Sequence, residues 1–164
     1  MNDAEGGRRM IEPVLTALRD VTEADLPILF EYQREPDANR MAAFPPRELG
    51  TFMHHWRTNI LGSARTTKKA ILVGGEVAGS VVSWDAEDKR LVGYWIGQRY
   101  WGRGVASAAL PEFVAVHEAA RPLHAYVALT NVRSVRVLEK CGFEPTRVVV
   151  VGADGVEDAL MRLG

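Results

Sequence analysis

At 164 residues, 47% of them hydrophobic and 25% charged, the chain has the size and composition of one globular domain with a proper core, and no second domain is expected. A formal net charge of -1 gives no global field that would draw it to nucleic acid or to an anionic membrane, so neither is expected as a partner. The single cysteine, Cys141, excludes an internal disulfide, and with no signal-peptide core and no bilayer-length apolar run the expected location is cytoplasmic.

Residues 1–12 are polar and glycine-bearing and read as a disordered tail, with a single domain over 13–164. Val14 to Val21 reads as a first strand. Thr22 offers an N-cap to a helix with acid in its first turn and an apolar face through Tyr32, ending before Pro36. A loop from Asn39 to Pro46 leads to a second helix, roughly Arg47 to Ile60, carrying His54, His55 and Trp56. Ala70–Val73, the pair Gly74-Gly75 and Glu76–Trp84 read as a tight hairpin, and Asp85 to Asp88 as the next turn. Leu91–Gly97 is then a third consecutive antiparallel strand, followed by a helix from about Gly102 to Ala120 that Pro111 should bend. Leu123–Leu129 is a fifth strand, Asn131 caps a short helix that Gly142 ends, and Val148–Val151 with Val156–Met161 forms a final hairpin turning at Asp154-Gly155.

The chemistry concentrates where the fourth strand passes through Gly97-Gln98-Arg99-Tyr100-Trp101-Gly102-Arg103-Gly104-Val105-Ala106 into the alanine-rich helix. Gly102 and Gly104 let successive amides point into one concavity, and the first turn of the helix adds unsatisfied donors and a positive dipole end. No Lys-Ser or Lys-Thr pair follows the glycines, which argues against a P-loop and for a diphosphate carrier that needs no metal. Amides of about Arg103 to Ala106 would grip the diphosphate, while Ile96 and Gly97 would present unpaired strand groups beside it. No His, Cys, Asp or Glu cluster has metal-site spacing.

This segment, followed by Asn131-Val132-Arg133-Ser134-Val135-Arg136-Val137-Leu138-Glu139-Lys140-Cys141-Gly142-Phe143, closely resembles the GCN5-related N-acetyltransferases. Gly-Tyr-Trp ahead of the cradle and Arg-Val-Leu-Glu-Lys-Cys-Gly-Phe after it are similar to the branch typified by ribosomal-protein N-terminal acetyltransferases. The resemblance implies an α+β fold with a mixed, mostly antiparallel central sheet in the order β-α-α-β-β-β-α-β-α-β-β. It implies acetyl-coenzyme A as cosubstrate and direct acetyl transfer to a primary amine, either a protein N-terminus or a small molecule. In the family's phosphate motif Trp101 takes the first place and Gly104 and Ala106 the later ones.

The resemblance also implies a backbone oxyanion donor at Ile96, and it places Asn131 and Ser134 beside the sulfur or the pantetheine arm. Many members carry a thiolate acid, Tyr, where this chain has Leu138, so that role passes to Ser134, directly or through water, or is unnecessary because bulk solvent protonates the thiolate. The glutamate often found on the fourth strand is also missing, around Leu91-Val92, leaving Asp85, Glu31, Glu35, His54, His55 or a water chain as base. Arg133, Arg136 and Lys140 share one side of the short helix, where they could meet the 3'-phosphate; Trp101 and Trp95 are the tryptophans expected at the site. A homodimer through an exposed sheet edge or a helix is the expected form of any self-association, and a non-catalytic acyl-coenzyme A sensor or interaction subunit is the alternative to an enzyme.

Overall fold

The computed structural model describes residues 14–152 and 155–164. The expected tail, 1–12, and the Asp154 side of the expected last turn lie outside them. Seven strands, β1 (Thr16–Asp20), β2 (Thr67–Val73), β3 (Glu76–Ala86), β4 (Lys89–Ile96), β5 (Leu123–Ala128), β6 (Glu144–Val151) and β7 (Glu157–Leu163), form one sheet ordered β1-β2-β3-β4-β5-β7-β6. Every pairing is antiparallel except β4 with β5, which is the mixed, mostly antiparallel α+β architecture expected.

Five helices flank the sheet: α1 (Leu26–Gln33), α2 (Pro36–Ala42), α3 (Leu49–His55), α4 (Val105–Glu112) and α5 (Val132–Lys140). Helix α2 is one more than the sequence reading, which treated Pro36 as a terminator. Pro36 instead occupies the first turn of a new helix, where its missing N–H has no intrahelical partner to lose, and Ala43 closes that helix in a left-handed conformation. Ahead of α1, the Asp25 carboxylate accepts from the Thr22 N–H at 2.8 Å and from both Arg19 guanidinium nitrogens at 2.6 and 2.8 Å. Hydrogen bonding from Arg19 outweighs burial and holds the Asp25 carboxyl below its usual range.

One turn is tighter than expected. Both central residues of the β3–β4 hairpin, Glu87 and Asp88, have positive φ (53° and 59°), so β3 runs on through Asp85 to Ala86. That is the conformation whose twist matches a two-residue hairpin. Helix α4 begins at Val105, three residues later than expected, and past Pro111 it loosens into a wide turn over Phe113–His117, with the Glu118 N–H reaching back to the Phe113 carbonyl. Strand β6 begins at Glu144, earlier than expected, and its pairing is irregular between Pro145 and Val149. The core closes around Leu26, Phe52, Ile71, Val81, Phe113, Leu123 and Phe143. Among the described residues no helix is long and apolar enough to cross a membrane.

Candidate active site

Strands β4 and β5 pair only at Arg90↔Leu123 and Leu91↔His124; beyond that they part, and the gap is the floor of a cleft. The opening has a backbone cause. The Gly97 N–H donates to the Ala78 carbonyl at 2.8 Å, so by the two-residue period of a strand the Trp95 N–H also faces β3 and the Ile96 N–H faces the open side. Gly79 lets the two strands approach this closely: a Cβ there would stand 2.0 Å from the Trp95 carbonyl oxygen.

Ile96 therefore keeps the free donor expected of it, but Gly97 does not. Its N–H is spent on Ala78, its carbonyl accepts from the Tyr100 N–H at 2.9 Å, and a Cβ on it would strike the Tyr32 ring. Gly97 is a packing glycine at the strand end and does not line the cleft.

A cavity of about 420 Å³ runs from this gap to the start of α4. Of the expected binding residues it is lined by Ile96, Trp101, Gly102, Gly104, Val105, Ala106, Asn131, Ser134, Arg136 and Lys140. Gly102 and Gly104 hold φ of 74° and 73°, and a Cβ on either would meet no protein atom within 4 Å: the glycines leave space for something else. Gly104 caps α4, so the Val105, Ala106 and Ser107 N–H groups of its first turn have no carbonyl inside the helix. Arg103, whose amide was also expected here, is not among the lining residues; its guanidinium lies over the Tyr100 ring, 5.6 Å from the centroid. The sequence reading missed Ser107 and the α2 residues Ala38, Met41 and Ala42, which wall the cavity because α2 exists.

Arg133 joins Arg136 and Lys140 on the cavity wall, giving α5 a basic rim. Arg133 also stacks 5.8 Å from the Trp101 ring centroid, and the Trp101 indole N–H donates to the Ile96 carbonyl at 3.0 Å. Trp101 thus ties the cradle to the end of β4.

Asn131 caps α5, its side-chain oxygen accepting from the Ser134 N–H at 3.3 Å. The Ser134 hydroxyl in turn meets the hydroxyl of Tyr94 at 2.5 Å. Burial pushes the Tyr94 phenol up to about 12, although the Ser134 bond opposes the shift. Leu138 is core, and the Cys141 thiol is also pushed up by burial, away from nucleophile behaviour. Tyr94 is the residue the sequence reading overlooked: it brings a phenol to the gap from the strand, not from α5.

A second cavity, about 1030 Å³, lies on the other side of Tyr94 and Trp95, which line both. Of the base candidates, His55 and Asp85 reach its wall; Glu31, Glu35 and His54 do not. Asp85 is held there by Arg65 at 3.1 Å and Arg90 at 3.3 Å, so its carboxylate has ion partners already. Glu35 accepts from the Gln98 N–H at 2.9 Å and Glu31 pairs with Arg34. Burial first, then the nearby charge of Arg47, lowers the His55 ring below its ordinary value, so it is neutral at pH 7. Trp56 and Trp84 line this cavity as well, two tryptophans the sequence reading left to the core.

The family model described as an acetyltransferase (GNAT) domain matches residues 16–144. The chain belongs to the GNAT acetyltransferases. Spermidine N-acetyltransferase from Vibrio cholerae, solved with CoA and spermine, superposes with a TM-score of 0.77 at 14% identity, over 90% of this chain and 94% of that one. Aminoglycoside acetyltransferase AAC(6')-Ib with coenzyme A gives 0.74 at 19% identity over 91% and 94%, and its ribostamycin complex gives 0.72 at 19% identity over 90% and 92%. No curated protein matches the chain. At these identities the structural likenesses establish the GNAT fold alone. Among the described residues no group of three His, Cys, Asp or Glu could hold a metal ion.

Proposed function

We propose that the protein moves the acetyl group of acetyl-coenzyme A to a primary amine by direct attack, and that residues 13–164 form a single N-acetyltransferase domain. The observation that carries this reading is the meeting, at Tyr94 and Trp95, of two cavities: one ends in a glycine cradle with a basic rim, the other is aromatic. The space above Gly102 and Gly104, the first-turn amides of α4 and the Arg133, Arg136 and Lys140 side chains fit a phosphate-bearing carrier.

Bound acetyl-coenzyme A supplies an activated acyl group. Within the chain, the Ile96 N–H is the free donor for an oxygen gaining negative charge, and the Ser134 hydroxyl, aligned by Tyr94, is the donor for a departing sulfur. Both hydroxyls act by hydrogen bonding and keep their protons: burial makes the Tyr94 phenol a weaker acid than a thiol, and the Ser134 alcohol is weaker still. The proton shed by the attacking nitrogen balances the one the sulfur takes. Tyr94→Phe is accordingly expected to lower kcat about tenfold, the worth of one hydrogen bond in the rate-determining complex, without adding an ionisation to the pH–rate profile between pH 6 and 9. Steady-state rates across that range check it. Activity should rise with pH as the acceptor amine loses its proton, because no group of this pair titrates there.

Calorimetry with coenzyme A and thiol release with a panel of amines test the whole reading. Binding with turnover on at least one amine supports it; binding with none makes the protein an acyl-coenzyme A sensor. Failure to bind removes both readings. Peptides with varied first residues belong in the panel, since the branch resemblance puts a protein N-terminus among the acceptors.

A further inference from the structure

We infer that the acceptor is a small primary amine carrying a carboxylate beside its amino group and a large apolar or aromatic body, and not a polycation. This rests on the acetyl-transfer reading above and names the compound that would fill its second cavity.

The walls of that cavity are dominated by Phe44, Phe52, Trp56, Trp84, Tyr94 and Trp95. Rings on several sides suit an apolar body of matching width. Its charged lining is Arg47, Arg65 and Asp85. Asp85 is the sole carboxylate among these lining residues, and Arg65 and Arg90 both hold it. A ligand with several ammonium groups would have to leave water with no free carboxylate to receive them, which is strongly unfavourable. Spermine and ribostamycin, present in the complexes of the structural neighbours, are amines of that kind. This wall is built for the opposite charge.

Arg47 supplies the complementary group. Its guanidinium lies 5.1 Å from the Phe44 ring centroid, and among the described residues it forms no ion pair with a carboxylate. The backbone beneath it is anchored, since the Arg47 N–H donates to the side-chain oxygen of the buried Gln33 at 3.4 Å. A guanidinium stacked on an aromatic face is already oriented for two-point recognition of a carboxylate. His55 adds a second donor. The Asn59 amide donates to its Nδ1 at 3.0 Å, so in the neutral ring the hydrogen stays on Nε2.

The test compares L-phenylalanine with L-phenylalaninamide, which has the same body and amine but no charge at the acid end, alongside spermidine and ribostamycin. The full chain is used, with saturating acetyl-coenzyme A and thiol release as the readout. The expected kcat/KM for the amino acid exceeds that for its amide by about 10- to 100-fold, the loss of one or two charge-assisted hydrogen bonds. Arg47→Ala should collapse that ratio toward one, and Arg47→Lys, which keeps the charge but not the fork, should leave it in between. Coenzyme A binding measured on each variant shows that it is folded. A preference for spermidine or ribostamycin, or equal use of acid and amide, overturns this inference and leaves acetyl transfer standing. No turnover on any amine, with coenzyme A bound, overturns acetyl transfer and this inference with it.

Discussion

Gly104→Val is expected to weaken coenzyme A binding by about 100-fold or more while the protein stays folded. Gly104 holds φ at 73° at the mouth of α4, and a Cβ there meets nothing of the protein within 4 Å. The protein therefore loses little in packing. It loses the backbone preference, since a left-handed conformation costs a side-chain-bearing residue about 1–2 kcal/mol, a fall in Tm of several degrees for a domain this size. The ligand loses far more. An isopropyl group standing in the concavity separates a phosphate from the first-turn amides of Val105, Ala106 and Ser107, and two charge-assisted hydrogen bonds at about 1.5–3 kcal/mol each amount to at least 100-fold. Calorimetry with coenzyme A measures the affinity and a thermal melt the fold. If affinity falls less than tenfold in a variant that melts normally, the cradle is not where the diphosphate sits.

The cradle was legible in the sequence because glycines at a strand-to-helix junction carry their conformational requirement with them: Gly102 and Gly104 both hold the positive φ their spacing suggests. Asn131 as cap and Gly142 as helix terminator were legible for the same local reason. Gly97 looked alike on the page and does another job, because the use of its amide depends on the register between β3 and β4, a long-range fact. Pro36 shows a second limit. A proline is compatible both with the end of one helix and with the first turn of the next, and nothing local decides between them. Missing α2 meant missing Ala38, Met41 and Ala42 as cleft residues. Tyr94 escaped notice because its meaning lies in a partner forty positions away, and the aromatic cavity because residues from α1, α3, β3 and β4 converge on it only after folding.

The cleft opens only where β4 leaves β5, and the last contact before the opening is fastened by a buried charge cluster whose removal should unfold the protein more readily than any surface change. Glu118, just past the wide turn of α4, accepts from the Arg90 guanidinium at 2.9 Å and from the hydroxyl of the fully buried Ser83; its other oxygen accepts from the Ala120 N–H at 3.0 Å. Arg90 also donates to Thr67 Oγ1 and to the Arg65 carbonyl, so this one carboxylate organises β2, β3 and β4 at the point where β4 meets β5. Glu118→Ala takes the buried carboxylate from Arg90, leaving it only the more exposed Asp85 that it shares with Arg65, and removes the acceptor of the Ser83 hydroxyl. The expected loss is about 3–5 kcal/mol, the range for breaking one side of a buried pair, read as a drop in Tm of roughly 6–20 °C. Burial alone would raise the Glu118 carboxyl, but the bonds from Ser83, Ala120 and Arg90 outweigh it and the group sits below its usual range. A carboxylate depressed on folding adds stability above its unfolded value and loses it as pH falls through the folded one. The wild-type protein, with Glu118 and Asp25 both depressed, should therefore hold its Tm down to about pH 5 and lose it progressively below about pH 4, and Glu118→Ala should flatten that slope. Thermal melts from pH 3 to 7 on both proteins measure the difference; parallel curves would mean that Glu118 keeps an ordinary carboxyl in the fold.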